Sequence, residues 1–320
     1  MMRKILLRFK DKAKHTSLLR VSKKFLFKAF LYFVLTVVAY QFLQPIFQMI
    51  SQTFMSREDI IDPSVSWIPL APSFHNLRVA FAVLDMPASL FGSIGFSVLL
   101  AFCQVIISAL TGYAFARFEF PFKKILFALL LISFVVPIQV LIIPRIMTFQ
   151  FLQGLSGIQF FGTALPQVLM TLFGQGVFSP ILILIFYSFM RMIPKALDEA
   201  AMIDGANSLQ VFYHIAIRMS ASTILVVFLF GVVWNWNETY ITNTFLAGNI
   251  PLLPNMLSRF DSLFSAGAAQ VSGGQGGVNR ISEAFQMAGT LITIVPLLVL
   301  YLFVQKRFIA GIENSGITGE

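Results

Sequence analysis

Metal binding and ATP hydrolysis can both be judged from residue types and their spacing. His15, His75 and His214 have no Cys or second His at metal-ligand spacing. The chain contains no Gly-Lys dipeptide, so it has no G-x-x-x-x-G-K phosphate loop. The sequence therefore predicts no metal site, no cofactor bound by this chain and no enzyme activity of its own.

Ion coupling needs ionisable residues near the middle of a membrane, where they carry protons or sodium ions. The centres of the long apolar stretches of this chain contain none. Glu238 and Glu283 lie near the outer ends of two such stretches and Arg145 at the outer end of a third, where a long side chain reaches the interface at little cost. An ion-coupled secondary transporter is one alternative, but the sequence favours a protein whose energy comes from another subunit.

A polar segment beginning at Ile193 predicts a short helix and a turn. Pro194 suits the first helical turn, and the carboxylates of Asp198 and Glu199 complement the positive end of the helix. Asp204 and Gly205 follow, and glycine adopts the positive φ that a tight turn requires. We expect the helix to end there.

A second helix is predicted immediately after this turn. Asn207 is a good N-cap and has Gln210 three residues later, which is the pattern of a capping box. Leu209, Phe212 and Ile215 then recur at helical spacing. The segment, about residues 194–218, is thus a predicted helix-turn-helix, and two interpretations stay open: a face for another protein's groove, made shallow by alanines, or an amphipathic linker on the membrane surface.

The composition places the elements that carry these residues in a membrane. Hydrophobic residues make up 57% of the chain and charged residues 12%, where a soluble domain has about 25% charged residues. There are 36 Phe, and the mean hydropathy is +0.82. The single cysteine, Cys103, lies in an apolar run and forms no internal disulfide. We predict an all-α membrane protein with no nucleic-acid partner.

Stretches without Asp, Glu, Lys or Arg mark the membrane spans, because a charge at the bilayer centre costs about 2.5–3.5 kcal/mol. They cover residues 29–50, 86–116, 125–144, 146–190, 219–237 and 284–305. The fourth stretch is too long for one helix. We interpret Gln150 to Gly162 as a loop and place the fourth span at about 166–190, which gives six transmembrane helices. An outer loop at about 244–282 contains a predicted flexible segment, residues 272–277.

The distribution of Lys and Arg predicts the orientation. The N-terminal segment, the connections after the second and fourth spans, and the tail together hold 18 of these residues, while the opposite side holds 5. Cytoplasmic flanks retain the positive charge. We therefore expect both termini in the cytoplasm, a basic cytoplasmic segment at residues 1–24, a transmembrane domain at 25–308 and a cytoplasmic tail at 309–320. The basic leader enforces this orientation or contacts anionic membrane lipid.

Five motifs along the chain resemble those of a known family. Glu199-Ala200-Ala201-Met202-Ile203-Asp204-Gly205-Ala206 is similar to the EAA loop of permease subunits of binding-protein-dependent ABC importers. The stretch from Tyr113 to Pro121 resembles the A-Y-A-L-A-R-F-x-F-P sequence of the carbohydrate-uptake branch. Val136-Pro137 with Ile143-Pro144, Trp236-Asn237-Glu238, and the closing Phe303 to Phe308 with Gly311 fit its maltose-permease G-type subunit. The similarity covers about residues 25–320.

The resemblance implies a type I ABC importer permease fold and a set of partners. The partners are a second permease subunit in a heterodimer, an ATPase dimer that uses ATP and Mg, and an extracytoplasmic solute-binding protein in a bacterial plasma (inner) membrane. The loop residues that would couple to the ATPase are Glu199, Ala200, Ala201, Asp204 and Gly205. The implied function is import of a di- or oligosaccharide by alternating access, with a sugar phosphate or polyol as the alternative substrate.

The sequence does not assign the substrate pathway. Gln139, Gln167 and Asn235 are polar candidates in the spans, and we favour hydrogen bonds between packed helices as their role. The aromatic cluster of Trp234, Trp236 and Tyr240 is typical of an interfacial belt at the outer end of a helix. A platform on which a sugar stacks is the alternative interpretation.

Overall fold

A computed structural model of the chain describes residues 2–268 and 278–314, with side chains described for 24–265 and 281–305. Every regular element in these ranges is helical. The predicted flexible segment at 272–277 and the end of the tail at 315–320 lie outside the described residues.

Four elements precede the third span, and they include the two longest apolar helices of the first half of the chain. They are α1 (Met2–Phe54), α2 (Arg57–Ile61), α3 (His75–Val83) and α4 (Ala88–Arg117). The middle of the chain forms α5 (Lys123–Val135), α6 (Ile138–Ser156), α7 (Leu165–Leu172), α8 (Ser179–Met192) and α9 (Lys195–Ile203).

The remaining helices include the second half of the predicted helix-turn-helix. They are α10 (Ser208–Val211), α11 (Ile217–Met219), α12 (Ala221–Asn237), α13 (Tyr240–Leu246), α14 (Leu253–Ser258), α15 (Phe260–Ala268) and α16 (Val278–Asn314). A single π-helical turn, Phe212–Ala216, joins α10 to α11.

Within residues 2–268 and 278–314, four helical segments are long and apolar enough to cross a bilayer on their own. They are Lys24–Phe54, Ala88–Arg117, Ile138–Ser156 and Ile281–Gln305. Two bent pairs raise the number to six: α8 with α9, bent by 71°, and Ser208–Met219 with α12, bent by 78°. In each pair the bend lies where the predicted helix-turn-helix meets a predicted span.

Three sequence-based expectations about the spans are wrong. Span three is not one helix over 125–144, because α5 ends at Val135 and α6 begins at Ile138. Gln150 to Gly162 is not a loop throughout, because α6 continues to Ser156 and ends at Gly157, whose φ is +69°. The fourth span is not one helix over 166–190, because the chain leaves the helical path between Leu172 and Ser179. None of the three errors involves a charged residue, so the charge-free stretches carry no signal for these breaks.

The centre of the bundle is α4, packed against α8 on one side and α12 on the other. Small residues allow this close approach. A Cβ atom added at Gly112 would lie 2.7 Å from the Cβ of Phe186, and one at Gly231 would lie 3.0 Å from the Cβ of Ala101. Small residues at helix contacts are the usual means by which membrane helices pack closely. The three helices therefore form a tight unit around which the others are arranged.

The described part of α1 lies at the edge of this bundle, and its apolar side chains are mostly exposed. It contacts α16 and α3. The exposed residues are large and apolar, and include Phe25, Phe30, Phe33, Phe42 and Phe47. A row of this kind suits contact with lipid chains and would be unfavourable in water.

Candidate functional site

The segment between Ile193 and Ser220, called here the loop, has the predicted turn at its centre. Gly205 adopts φ +90° and separates α9 from α10. The capping box is present: Gln210 N donates to Asn207 Oδ1 at 2.9 Å, and Asn207 N donates to Gln210 Oε1 at 2.8 Å. The predicted turn and the predicted capping box are both confirmed. The capping box joins two residues only three positions apart, so the local sequence is enough to predict it.

A buried ion pair attaches the first loop helix to the bundle. Arg117, the last residue of α4, has its Nε 2.9 Å from Asp198 Oδ2, and the two side chains are 6% and 11% exposed. Arg117 Nη2 also donates to the carbonyl oxygen of Ile193 at 2.8 Å. The sequence predicted that Asp198 complements a helix N-terminus, and the structure adds a partner on α4.

An aromatic contact attaches the second half of the loop to the same helix. The ring of Tyr113, buried one turn before the end of α4, lies 4.9 Å from the ring of Phe212 in the π-helical turn. The Tyr113 ring is also 5.7 Å from that of Phe118. Both halves of the loop are thus held by the last two turns of α4.

The opposite face of the loop is open. Among the residues predicted to couple to an ATPase, Glu199, Ala200, Asp204 and Gly205 are exposed and Ala201 is half-buried. Ile203 is 86% exposed, and further exposed apolar side chains on this face are Leu197, Met202, Leu209 and Tyr213. The loop is therefore fixed on one side and presents apolar and acidic groups on the other.

A second site is a cavity of about 490 Å³ between α5, α6, α8 and the end of α12. Arg145 lines it, and its Nη2 donates to the carbonyl oxygen and to Oε1 of Gln175 at 3.3 and 3.4 Å. Glu238 lines it as well, and its carboxylate accepts hydrogen bonds from Ile241 N, Thr242 N and Thr242 Oγ1 at 2.8–3.0 Å. Glu238 is thus a cap at the start of α13.

Arg145 does not lie at the outer end of span three, because α6 continues for about three further turns, to Ser156. The interpretation of the aromatic cluster as an interfacial belt is also wrong for one of its members. Trp236 is only 4% exposed and packs in the core with Leu253 and Phe285. Trp234 is half-buried and lines the cavity together with Tyr240.

Comparison with known families decides where this architecture belongs. Residues 104–314, which include the loop and the cavity, match the family described as binding-protein-dependent transport system inner membrane component. The chain belongs to this family. The inner membrane component is thus a transport permease in a membrane. The resemblance to this family predicted from the sequence motifs is confirmed.

Curated relatives match this inner membrane component over most of their length. The arabinooligosaccharides transport system permease protein of Halalkalibacterium halodurans is 24% identical over 86% of this chain and 91% of its own. The trehalose transport system permease protein of Mycobacterium tuberculosis is 25% identical over 88% and 94%. A probable ABC transporter permease protein of Bacillus subtilis is 28% identical over 91% and 87%.

A solved structure has the same fold as the inner membrane component. A chain of a bacterial ABC transporter involved in the import of the acidic polysaccharide alginate aligns with a TM-score of 0.67 and 18% identity, covering 88% of this chain and 96% of that one. At this identity the likeness concerns the fold. The expected all-α membrane fold of a type I importer permease is confirmed.

Buried hydrogen bonds join the helices of the inner membrane component, as predicted for two of the three polar candidates. Gln167 Nε2 donates to Thr242 Oγ1, and Asn235 Nδ2 donates to Gln104 Oε1, both at 2.8 Å. Gln139 is exposed. The sequence analysis missed Gln104, which is fully buried and also donates from Nε2 to the carbonyl oxygen of Val177 at 2.7 Å. A polar residue in the middle of a charge-free apolar stretch was the signal that could have identified it.

Proposed function

We propose that this chain is the membrane-spanning permease of an ATP-driven importer that moves a di- or oligosaccharide into the cell by alternating access. The observation that carries the proposal is the loop, fixed to α4 by the Arg117–Asp198 pair and open on its other face. A surface that is held rigidly on one side and exposed on the other suits the transfer of motion from a partner to the bundle.

The partner at this face is an ATPase dimer, which uses ATP and Mg. The residues that contact it are Glu199, Ala200, Ala201, Asp204 and Gly205. A second permease subunit completes a heterodimer, and an extracytoplasmic solute-binding protein delivers the substrate. The complex lies in the bacterial plasma (inner) membrane with both termini in the cytoplasm, as the unequal distribution of Lys and Arg indicates.

Support for a carbohydrate substrate comes from the relatives. Proteins named for the transport of arabinooligosaccharides, lactose and trehalose each align with more than four fifths of this chain. Solute-binding proteins select the substrate in systems of this kind, so the cognate binding protein offers a direct test. We expect thermal-shift screening of that protein to give stabilisation by neutral di- or oligosaccharides. A preference for glycerol phosphate or a polyol would favour the alternative substrate, and a preference for amino acids or peptides would refute the carbohydrate assignment.

Reconstitution tests the energy source. The chain is placed in proteoliposomes with its partner permease and ATPase, and sugar uptake is measured with binding protein outside. We expect uptake that depends on ATP and is lost with an ATPase inactivated at its own catalytic residue. Uptake driven by a proton or sodium gradient without ATP would establish the ion-coupled alternative instead.

A further inference from the structure

The cavity beside Arg145 opens where three helical paths are interrupted. The path of span three breaks between Val135 and Ile138, that of span four breaks before Ser179, and α12 ends at Asn237. Its volume of about 490 Å³ lies within the range of roughly 300–1,000 Å³ that small-molecule sites occupy. Residues from all three interruptions line it.

Interrupted helices at membrane depth leave backbone N–H and C=O groups without helical partners. Such groups are tolerated where they are buried in protein or line a water-filled cavity. Neither α6 nor α8 has a side-chain cap at its start, where Pro137 and Phe178 occupy the capping position. At α8 the chain itself supplies the partners, since Ser179 N donates to the carbonyl oxygen of Gly176 at 3.1 Å and Ile181 N to that of Phe178 at 3.0 Å. Recognition of a polar ligand in this cavity therefore depends on side chains.

Arg145 supplies a donor that the protein leaves unused. Its Nη1 atom is buried and has no hydrogen-bond partner within the part of the chain that the structure describes. The two bonds from Nη2 to Gln175 are long, at 3.3 and 3.4 Å. This atom is shielded from solvent, so a ligand oxygen reaches it only when the guanidinium turns towards the cavity, and the bond then satisfies a donor that is unfavourable without a partner.

Aromatic rings form the adjoining wall. The Trp234 ring lies 4.9 Å from that of Phe178 and 5.0 Å from that of Phe230, which fixes its orientation. Tyr240 is 45% exposed at the same cavity. An indole or phenol ring beside hydrogen-bonding groups matches a ligand that has an apolar face and polar edges. A pyranose ring has both.

The charges in the cavity are balanced. Arg145 and Glu238 are its two charged lining residues among those described. The break in span three pairs the negative end of α5 with the positive end of α6, so the partial charges of the helix ends oppose one another. Such a site discriminates against a ligand with a net charge, because neither sign finds an excess of the other.

We infer that this cavity is a carbohydrate subsite within this chain, selective for neutral sugars, with Trp234 as the stacking surface and Arg145 as a hydroxyl-binding group. The inference rests on the proposed function, since it names the substrate class and the place where the permease itself holds it. The sugar would occupy it on its way from the binding protein to the cytoplasm.

Fluorescence of Trp234 tests binding directly in the assembled transporter without binding protein. We expect trehalose and maltotriose to change the emission of the wild-type complex, and the change to be absent in Trp234→Phe. Galacturonate and glycerol 3-phosphate should have little effect. Arg145→Gln should weaken the response to sugar about tenfold or more, which is the loss expected for one hydrogen bond to a charged group.

Arg78→Gln is the matched control, because Arg78 is exposed on α3 and lies outside the cavity. It should retain the wild-type response. If the neutral sugars leave Trp234 emission unchanged while ATP-driven uptake proceeds, the inference fails and the proposed function stands. A stronger response to galacturonate than to the neutral sugars overturns the selectivity. Absence of ATP-driven sugar uptake by the wild type is a failure of the proposed function.

Discussion

Arg117 and Asp198 hold opposite charges away from water, whereas Lys123 and Glu119 form a pair that is largely exposed on the Glu119 side. The hydrogen bond from Lys123 holds the pKa of Glu119 below its ordinary value. Exposed pairs contribute little to stability, because water and salt screen them. Removing one partner of a buried pair is different, since it leaves the other charge buried without compensation.

Asp198→Ala is therefore expected to destabilise the protein by about 3–5 kcal/mol. Thermal unfolding of the purified chain and its abundance in the membrane measure the effect. Glu199→Ala is the matched control one residue along α9, because Glu199 is exposed and its contribution at the helix start is only about 0.3–1 kcal/mol. Replacing both members, as in Arg117→Met with Asp198→Leu, should recover much of the stability. An Asp198→Ala variant as stable as Glu199→Ala would contradict the role of the pair.

Gln104 gives a second prediction at the scale of one side chain. Gln104→Leu leaves the amide of Asn235 and the carbonyl of Val177 without their present partner, at a cost of about 1–3 kcal/mol. We expect a lower unfolding temperature. Gln139→Leu, which changes an exposed residue, is the control and should unfold at the wild-type temperature. Equal unfolding temperatures for the two variants would show that the buried amide contributes nothing.

The contrast between Asn207 and Arg117 explains what could be predicted for single residues. The capping box of Asn207 was predictable, because both partners lie within one helical turn and their spacing is specific. The pairing of Arg117 with Asp198 was not, because nothing local to either residue selects a partner from a distant helix. This pairing depends on the tertiary fold, which brings α9 to the end of α4.

At the scale of elements, the turn between α9 and α10 depends on the backbone conformation of Gly205. A Cβ atom there would meet nothing within 4 Å, so a substitution acts through φ alone. Gly205→Val forces a β-branched residue into the left-handed region at a cost of at least about 1 kcal/mol, and should misplace α10 relative to α9. We expect normal membrane insertion with weaker ATPase association or uncoupled hydrolysis, measured by co-purification, ATPase rate and uptake.

Gly157→Val is the matched control for this turn. Gly157 has φ +69° and equally open surroundings, but it ends α6 and lies outside the loop. It should show a similar loss of stability with coupling intact. Substrate-stimulated transport by Gly205→Val at wild-type abundance and rate would show that the loop does not transmit motion to the bundle.

The positions at which helices break within the spans were only partly predictable from the sequence. A proline predicts a break, and Pro137 indeed occupies one. Pro144, in contrast, lies inside α6, and Pro296 lies inside α16. The break before Ser179 has no proline in it and no charge, and is made by Gly174, which has φ +74°, and Phe178, which has φ +51°. Which apolar stretches break, and that the breaks meet at one cavity, depends on tertiary packing.

At the scale of the whole molecule, the orientation in the membrane is the main testable consequence. The unequal distribution of Lys and Arg predicts that the loop faces the cytoplasm and that the connection between α13 and α14 faces outward. In a Cys103→Ala background, we expect Lys195→Cys to be protected from an impermeant thiol reagent in intact cells. Asn249→Cys should be labelled under the same conditions. Labelling of both positions only after permeabilisation, or of Lys195→Cys in intact cells, would overturn the orientation.

The position of Gln104 along α4 makes that helix a lever with nearly equal arms. At 1.5 Å per residue, Gln104 lies about 20 Å from Arg117 and about 24 Å from Ala88. Its bonds to Asn235 and to the carbonyl of Val177 fix the helix near its middle, and the loop is attached at one end. A displacement of the loop that tilts α4, together with the tightly packed α8 and α12, about the level of Gln104 moves the far end of α4 by a similar distance in the opposite direction. A motion imposed on the loop would thus reach the opposite end of α4 almost undiminished and with its sign reversed.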